Sequence, residues 1–298
     1  MASNSKKILV TGSNGMIGQE LCKQLVARGD HVTGIDNGWR KTNAQKIAHT
    51  TITCDVQDLK DSNIVDWDRF DQVYHLAAIN GTTNFYDYPH TVIDNNINSD
   101  LSVFKYVKSR LIWTSTSEIV AGDEQIPTSE NVDVSIKNIH NPRWSYRIGK
   151  MVSENWLANS KLDHAVIRFF NVWSENDAPG HFISDQIAKM KQGKFELMNP
   201  SDTRSFCYVE DAVDAMIHVA DSQHQGVVNI GSQEEISIML AAELLAETLG
   251  YPRAFTVVEG HSGSTSRRCP DITKLLEIYP EFNPKTFEQM VKEKIKNV

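Results

Sequence analysis

The 298-residue chain is 40% hydrophobic and 23% charged with a formal net charge of −8, a composition that suits a globular protein able to bury a core without disulfides or a metal. No apolar run approaches the roughly 20 residues of a membrane helix and Lys/Arg residues form no long run, which argues against membrane and nucleic-acid partners. Cys22, Cys54, Cys207 and Cys269 are scattered without metal-ligand spacing, so reduced thiols and no metal site are expected, and the absence of an apolar signal segment in Met1 to Lys7 points to a cytoplasmic protein.

Through the first half, short β-branched runs alternate with amphipathic stretches, the pattern of βαβ units. Strands are predicted at 8–11, 31–36, 51–54, 72–76, 111–115 and 164–169. Helices are predicted at 16–27, 91–107 and 144–159, with Gly29 placed to cap the first. Beyond about residue 172 the elements shorten. Ala178-Pro179-Gly180, Asn199-Pro200 and Gly260-His261-Ser262-Gly263 punctuate them, and a helix over 236–249 stops at Gly250-Tyr251-Pro252. The expected fold is α/β: a Rossmann doubly wound parallel sheet in residues 1–172, completed by later segments near 204–235, with a smaller C-terminal α+β substrate-binding lobe in 173–298.

The run Ile8-Leu9-Val10-Thr11-Gly12-Ser13-Asn14-Gly15-Met16-Ile17-Gly18 sets glycines three apart between a buried strand and a helix start. Glycine there allows the tight turn, the approach of a pyrophosphate and close packing of helix on strand, while the free N–H groups of the helix start face the anion. The second strand ends in Asp36, about 20 residues on, where an acid accepts both hydroxyls of an adenosine ribose. Such a carboxylate repels a 2′-phosphate, so NAD is expected, and the nearby Arg40 leaves NADP open. Asp55, in Cys54-Asp55-Val56, is either an acceptor for the adenine amino group or a helix cap.

Tyr146-Arg147-Ile148-Gly149-Lys150 places a phenol and an ammonium one helical turn apart and so on one face. A fixed cation lowers a phenol from its ordinary value of about 10 toward neutrality, which makes tyrosine usable as a base.

With these residues in hand, the chain resembles the extended short-chain dehydrogenase/reductase family, in its branch of NAD-dependent nucleotide-sugar epimerases and dehydratases. The glycine turn matches that family's TGxxGxxG, Tyr74-His75-Leu76-Ala77-Ala78 its fourth-strand end, and Asp94-Asn95-Asn96-Ile97-Asn98 the DNNVN of UDP-galactose 4-epimerase. Arg168-Phe169-Phe170-Asn171, the run from Arg204 to Asp211, Val228-Asn229-Ile230-Gly231 and the run from Arg268 to Lys274 follow in the family's order. The resemblance implies an NAD site made of Gly12, Asn14, Gly15, Met16, Ile17, Gly18, Asp36, Asn37, Asp55, Val56, Leu76, Ala77, Ala78, Asn95 and Lys150, with Lys150 on the nicotinamide ribose. It implies Asn171, Arg204 and Arg268 on the substrate's diphosphate, a role suited to the forked donors of arginine. It also implies a homodimer built on the helices of 91–107 and 144–159.

One segment departs from the family pattern. Thr114-Ser115-Thr116-Ser117-Glu118-Ile119-Val120-Ala121-Gly122 has Ala121 for the usual tyrosine and one residue more before its glycine. Aligned from the left, Thr116 is the hydroxyl beside the sugar oxygen; aligned from the right, it is Ser117. Glu118 resembles the glutamate of dehydratases and decarboxylases and argues against simple epimerisation. The family reading is therefore oxidation of a sugar hydroxyl, most often at C4, followed by elimination of water or epimerisation, with decarboxylation and 4-reduction or 4-dehydrogenation as alternatives. A non-catalytic dinucleotide sensor on this fold is expected to lack the Tyr/Lys pair.

Overall fold

Aliphatic and β-branched runs that can be buried on both faces form the central strands of a parallel sheet. β1 (Lys7–Thr11), β2 (His31–Asp36), β4 (Gln72–His75), β5 (Arg110–Thr116) and β6 (His164–Phe169) are buried almost throughout, while β3 (Thr50–Thr53) is a threonine-rich, mostly exposed edge. The computed structural model describes residues 5–40, 46–61, 64–122, 125–136, 138–175, 177–259 and 265–296. Gly260-His261-Ser262-Gly263 and the first four residues of the N-terminal segment lie outside them.

With β11 (Gly226–Ile230) added, the seven-stranded sheet has the order β11-β6-β5-β4-β1-β2-β3, and every pairing in it is parallel. Between the strands run α1 (Met16–Arg28), the short α2 (Thr82–Asp87), α3 (Pro89–Phe104) and α4 (Trp144–Ala158). Gly29 closes α1 at φ 98°, with Gly29 N–H on Val26 O and Asp30 N–H on Leu25 O, the hydrogen-bond pattern of a glycine C-cap. Alternation along β1 sorts the core: Ile8 and Val10 pack on the side of Leu21 and Leu25 of α1, and Leu9 on the side of Val103, Phe104 and Leu157 of α3 and α4.

After β6 come β7 (Val172–Trp173), α5 (Phe182–Lys191), β8 (Glu196–Met198), β9 (Thr203–Ser205) and β10 (Cys207–Tyr208), then α6 (Val209–Asp221), β11 (Gly226–Ile230), β12 (Glu235–Ser237), α7 (Ile238–Thr248), β13 (Thr256–Val258), α8 (Thr273–Ile278) and α9 (Phe287–Lys294). The short strands pair two by two, β7 with β10, β8 with β13 and β9 with β12. The return of α6 and β11 to the main sheet has a plain physical cause. Ala212, Val213, Ala215, Met216, Val219 and Ala220 of α6 have no exposure at all, a face too apolar to leave in water. Strand order reverses between β1 and β4, so the crevice at their C-terminal ends is where a ligand of this fold belongs. Among the described residues no helix is long and apolar enough to cross a membrane, and no group of three metal-ligating residues occurs.

Candidate active site

A cleft of about 460 Å³ opens at that switch point. Its floor is main chain. Gly12 sits at φ 70°, and a Cβ there would lie 2.8 Å from Ala77 N. A Cβ on Gly18 would lie 2.1 Å from Gly12 O, so this glycine lets α1 pack on β1. Gly15 caps α1 without a side-chain hydrogen bond, leaving the first N–H groups of the helix to an anion in the cleft. This cradle fits the pyrophosphate of a dinucleotide.

Asp36 is held at the end of β2 by Asn14 N–H (3.0 Å) and Gly38 N–H (2.8 Å). Asp55 accepts Gln57 N–H (3.0 Å) through its carboxylate, as a cap does, and lines the cleft beside Asn37, whose Nδ2 donates to it at 3.1 Å. Arg40 binds Asn80 through the backbone and side-chain oxygens rather than lying at Asp36. Asn95 lines the cleft, but its neighbour Asn96 pins the wall after β4, accepting Ile79 N–H at 2.7 Å and donating to Ile79 O at 3.0 Å.

Farther along the cleft Tyr146 lies under Phe85 of α2, the rings stacked with centroids 5.0 Å apart. The hydroxyl that meets the phenol is that of Thr116, which also accepts Glu118 N–H at 3.2 Å. Ser117 is buried, with its N–H on Phe169 O. The expectation of a phenol lowered by its cation is not met. Burial, with Asp100 and Glu118 nearby, pushes Tyr146 above its ordinary value, and Arg40 and the Thr116 hydroxyl only partly oppose this. Lys150 is 1% exposed and, unlike the other expected cofactor residues, is absent from the cleft wall. Its ammonium lies 3.8 Å from Asp100 Oδ1 and 4.5 Å above the Trp113 ring.

Beyond Tyr146 the wall becomes charged. Glu118 accepts from Arg268 Nη1 at 3.0 Å and Arg143 Nη2 at 3.3 Å. Burial raises its carboxyl, but Arg268, Arg143 and Arg204 outweigh burial and hold it below the usual carboxylate range. Burial and the charge of Arg268 bring Arg204 down to about 10, against the pull of Asp202. Arg204 lines an adjoining cavity of about 530 Å³ that shares Glu118, Asn171 and Arg268 with the first. Asn171 adopts φ 41° and donates to Ser205 O at 3.1 Å, a backbone conformation that asparagine tolerates better than most residues.

Residues 8–231 match the family of NAD dependent epimerases and dehydratases. The chain belongs to it. As a member it is an enzyme, and its cofactor is NAD. It is 30% identical to UDP-glucuronic acid decarboxylase 1 of Xenopus tropicalis over 90% of its own length, and spans 66% of that protein. It is also 30% identical to UDP-N-acetyl-alpha-D-glucosaminuronate decarboxylase of Bacillus cytotoxicus, over 97% of both chains. Among solved structures, the UDP-N-acetylglucosamine 4-epimerase of Methanobrevibacter ruminantium M1, in complex with UDP-N-acetylmuramic acid, shares the fold at a TM-score of 0.82 and 24% identity, covering 98% of this chain and 97% of that one.

In this epimerase/dehydratase chain the structure places on the cavity walls (Arg143 and His181) or buried behind them (Arg147 and Asp100) residues that the motifs did not reveal. Arg143 stands three residues before Tyr146, so helical spacing was a usable signal for it. His181 lines both cavities, its Nδ1 2.7 Å from Asp177. Arg147 donates to the carbonyl of Ala121, the position where the family usually has tyrosine, at 3.1 Å. Asp100 was also legible: Val92, Asn96, Asp100 and Val103 fall on one buried stripe of α3, where a carboxylate is out of place.

Proposed function

We propose that this enzyme oxidises the C4 hydroxyl of a nucleoside-diphosphate hexuronate and releases its carboxylate as carbon dioxide. The carrying observation is the Glu118 carboxylate held between Arg143 and Arg268 with Arg204 alongside. In a chain of net charge −8, this local surplus of arginine suits a substrate that brings a carboxylate in addition to its diphosphate. Bound NAD supplies the hydride acceptor at C4. Tyr146 takes the hydroxyl proton, and Thr116 aligns the sugar oxygen. Asn171 and Arg204 face the diphosphate, and Asp36 the adenosine ribose. Once C4 is a ketone, the C5 carboxylate is β to it. The C5–carboxylate bond breaks, its electron pair passes into the enolate, and a proton returned to C5 gives a 4-keto pentose. This regains at C4 the hydride it gave up while Tyr146 returns its proton, so that enzyme and cofactor end as they began.

Two arginines on Glu118 weaken it as a base. That disfavours elimination through removal of the C5 proton, the route its position in the motif first suggested, whereas decarboxylation needs no base at C5. The similarity to two decarboxylases supports the same reading. The test is incubation with UDP-, GDP-, CDP- and dTDP-linked hexuronates and neutral hexoses, read by product mass and NMR. Loss of carbon dioxide from a hexuronate is expected. Loss of water from a hexose would establish the dehydratase instead, and unchanged mass with inverted C4 the epimerase. The same reading includes a homodimer through α3 and α4, on whose surface Val152 is left 48% exposed. Light scattering that shows a monomer at micromolar concentration would remove that part.

A further inference from the structure

Asp100 is a fully buried carboxylate that the chemistry above does not use. Burying a carboxylate is unfavourable unless it is paired and hydrogen-bonded, and this one is only partly satisfied. Oδ1 accepts Trp113 Nε1–H at 2.9 Å and lies 3.0 Å from His75 Nε2 and 3.8 Å from Lys150 Nζ, the Ser153 hydroxyl of α4 also acts on the carboxylate, and Oδ2 lacks a hydrogen bond of good geometry. Three elements besides α3 converge on it: β4 with His75, β5 with Trp113 and α4 with Lys150. Burial holds His75 below its ordinary value, with Asp100 only partly opposing this. Its Nδ1 lies 2.6 Å from Thr11 Oγ1, which accepts Ala77 N–H, so the carboxylate is tied to the cleft floor. Lys150 is the amine that faces Asp100, lowered by burial against the opposing pull of that carboxylate. The other acid acting on Lys150, Glu154, is already bound by Arg168 and Ser115. A neutral amide could serve Trp113 equally well, so it is the negative charge of Asp100 that calls for a role.

Resting on the reading of Tyr146 as proton acceptor, we propose that Asp100 is a positioning residue that competes with the cleft for the Lys150 ammonium and so sets how readily Tyr146 accepts a proton. The groups that act on Tyr146 are Asp100 from α3, Glu118 and Thr116 from the end of β5 and Arg40 from the segment after β2, and Lys150 stands one turn along the same helix. Asp100 acts on the phenol twice: its charge opposes a phenolate directly, and it holds Lys150 inward, off the cleft wall. Bound NAD would offer Lys150 a second partner on the cleft side.

Asp100→Asn keeps the shape and an acceptor for Trp113 but removes the competition. In the NAD-loaded variant, the tyrosinate absorbance that is lost in Tyr146→Phe should titrate at lower pH than in wild type by about one unit, and the acid limb of kcat should move with it. Unmoved midpoints, or a shift to higher pH, would overturn the proposal. A purely structural ion pair changes the melting temperature without moving either midpoint. Should the variant not fold, NMR of ¹³C-labelled lysines in the wild-type chain decides, with Lys150 assigned by its loss in Lys150→Met. Its resonance should move when NAD is added, and an unchanged resonance would overturn the proposal. A shifted phenol titration with no turnover of any nucleotide sugar would sink the proposed reaction and leave this inference standing. Normal turnover with an unshifted phenol would do the reverse.

Discussion

At the cofactor end of the cleft the wall is largely main chain, supplied by Gly12 to Gly18 and by the ends of β2 and β4, whereas at the sugar end it is side-chain charge, with Glu118 between arginines from positions 143, 204 and 268. The first end works by shape, because a Cβ at Gly12 or Gly18 would strike backbone. The second works by electrostatics, in surroundings desolvated enough to bring Arg204 down to about 10. The difference teaches where tolerance lies. A backbone cradle fails through a single methyl group, while a cluster of charges can lose one member and keep part of its attraction.

Tyr146 sits where the two ends meet, and its loss should have the largest effect. Tyr146→Phe should lower kcat by about 10³-fold with NAD binding retained in calorimetry. A decrease smaller than about tenfold would show that the phenol is not the base. Next comes Gly18→Ala, whose new methyl would lie 2.1 Å from Gly12 O. It should cost about 3 kcal/mol of stability and abolish tight NAD binding, as read by thermal melting and titration. A stable variant with wild-type NAD affinity would mean that the cradle gives way more easily than its packing implies.

Arg268→Met probes the other end. It should raise KM for the nucleotide sugar by about 30-fold, the loss of a charge-assisted contact, and leave NAD affinity unchanged. If NAD binding weakened equally, the two ends would not be separable. Asp36→Ala should move the ratio of NAD to NADP dissociation constants about tenfold toward NADP. Tighter binding of NADP by the unaltered chain would contradict the role given to that carboxylate. The smallest expected effect concerns acid. Because the arginines depress Glu118 in the folded state, its contribution to stability is fully present above its unfolded value of about 4.3 and is lost as pH falls through the lower folded value. The difference in melting temperature between wild type and Glu118→Gln should therefore shrink on acidification; a constant difference would show that the carboxylate is not depressed.

Sequence alone determined the βαβ half, the glycine turn, the acid that ends β2 and the one just past β3, and the Tyr146/Lys150 spacing. Each is a contiguous stretch whose local geometry follows from a period of two or of 3.6 residues. The ends of adjacent parallel strands then necessarily lie side by side, so these short stretches fall into one cleft. Only the tertiary structure decided where charge goes. Nothing local tells that Arg268 crosses 150 positions to reach Glu118, that Arg40 turns to Asn80, or that Thr116 and not Ser117 meets the phenol. Spacing put Lys150 on the face of Tyr146, but a carboxylate from α3 holds its ammonium inward. Pairing of buried charges depends on which groups are desolvated together, and that is settled only when distant segments pack.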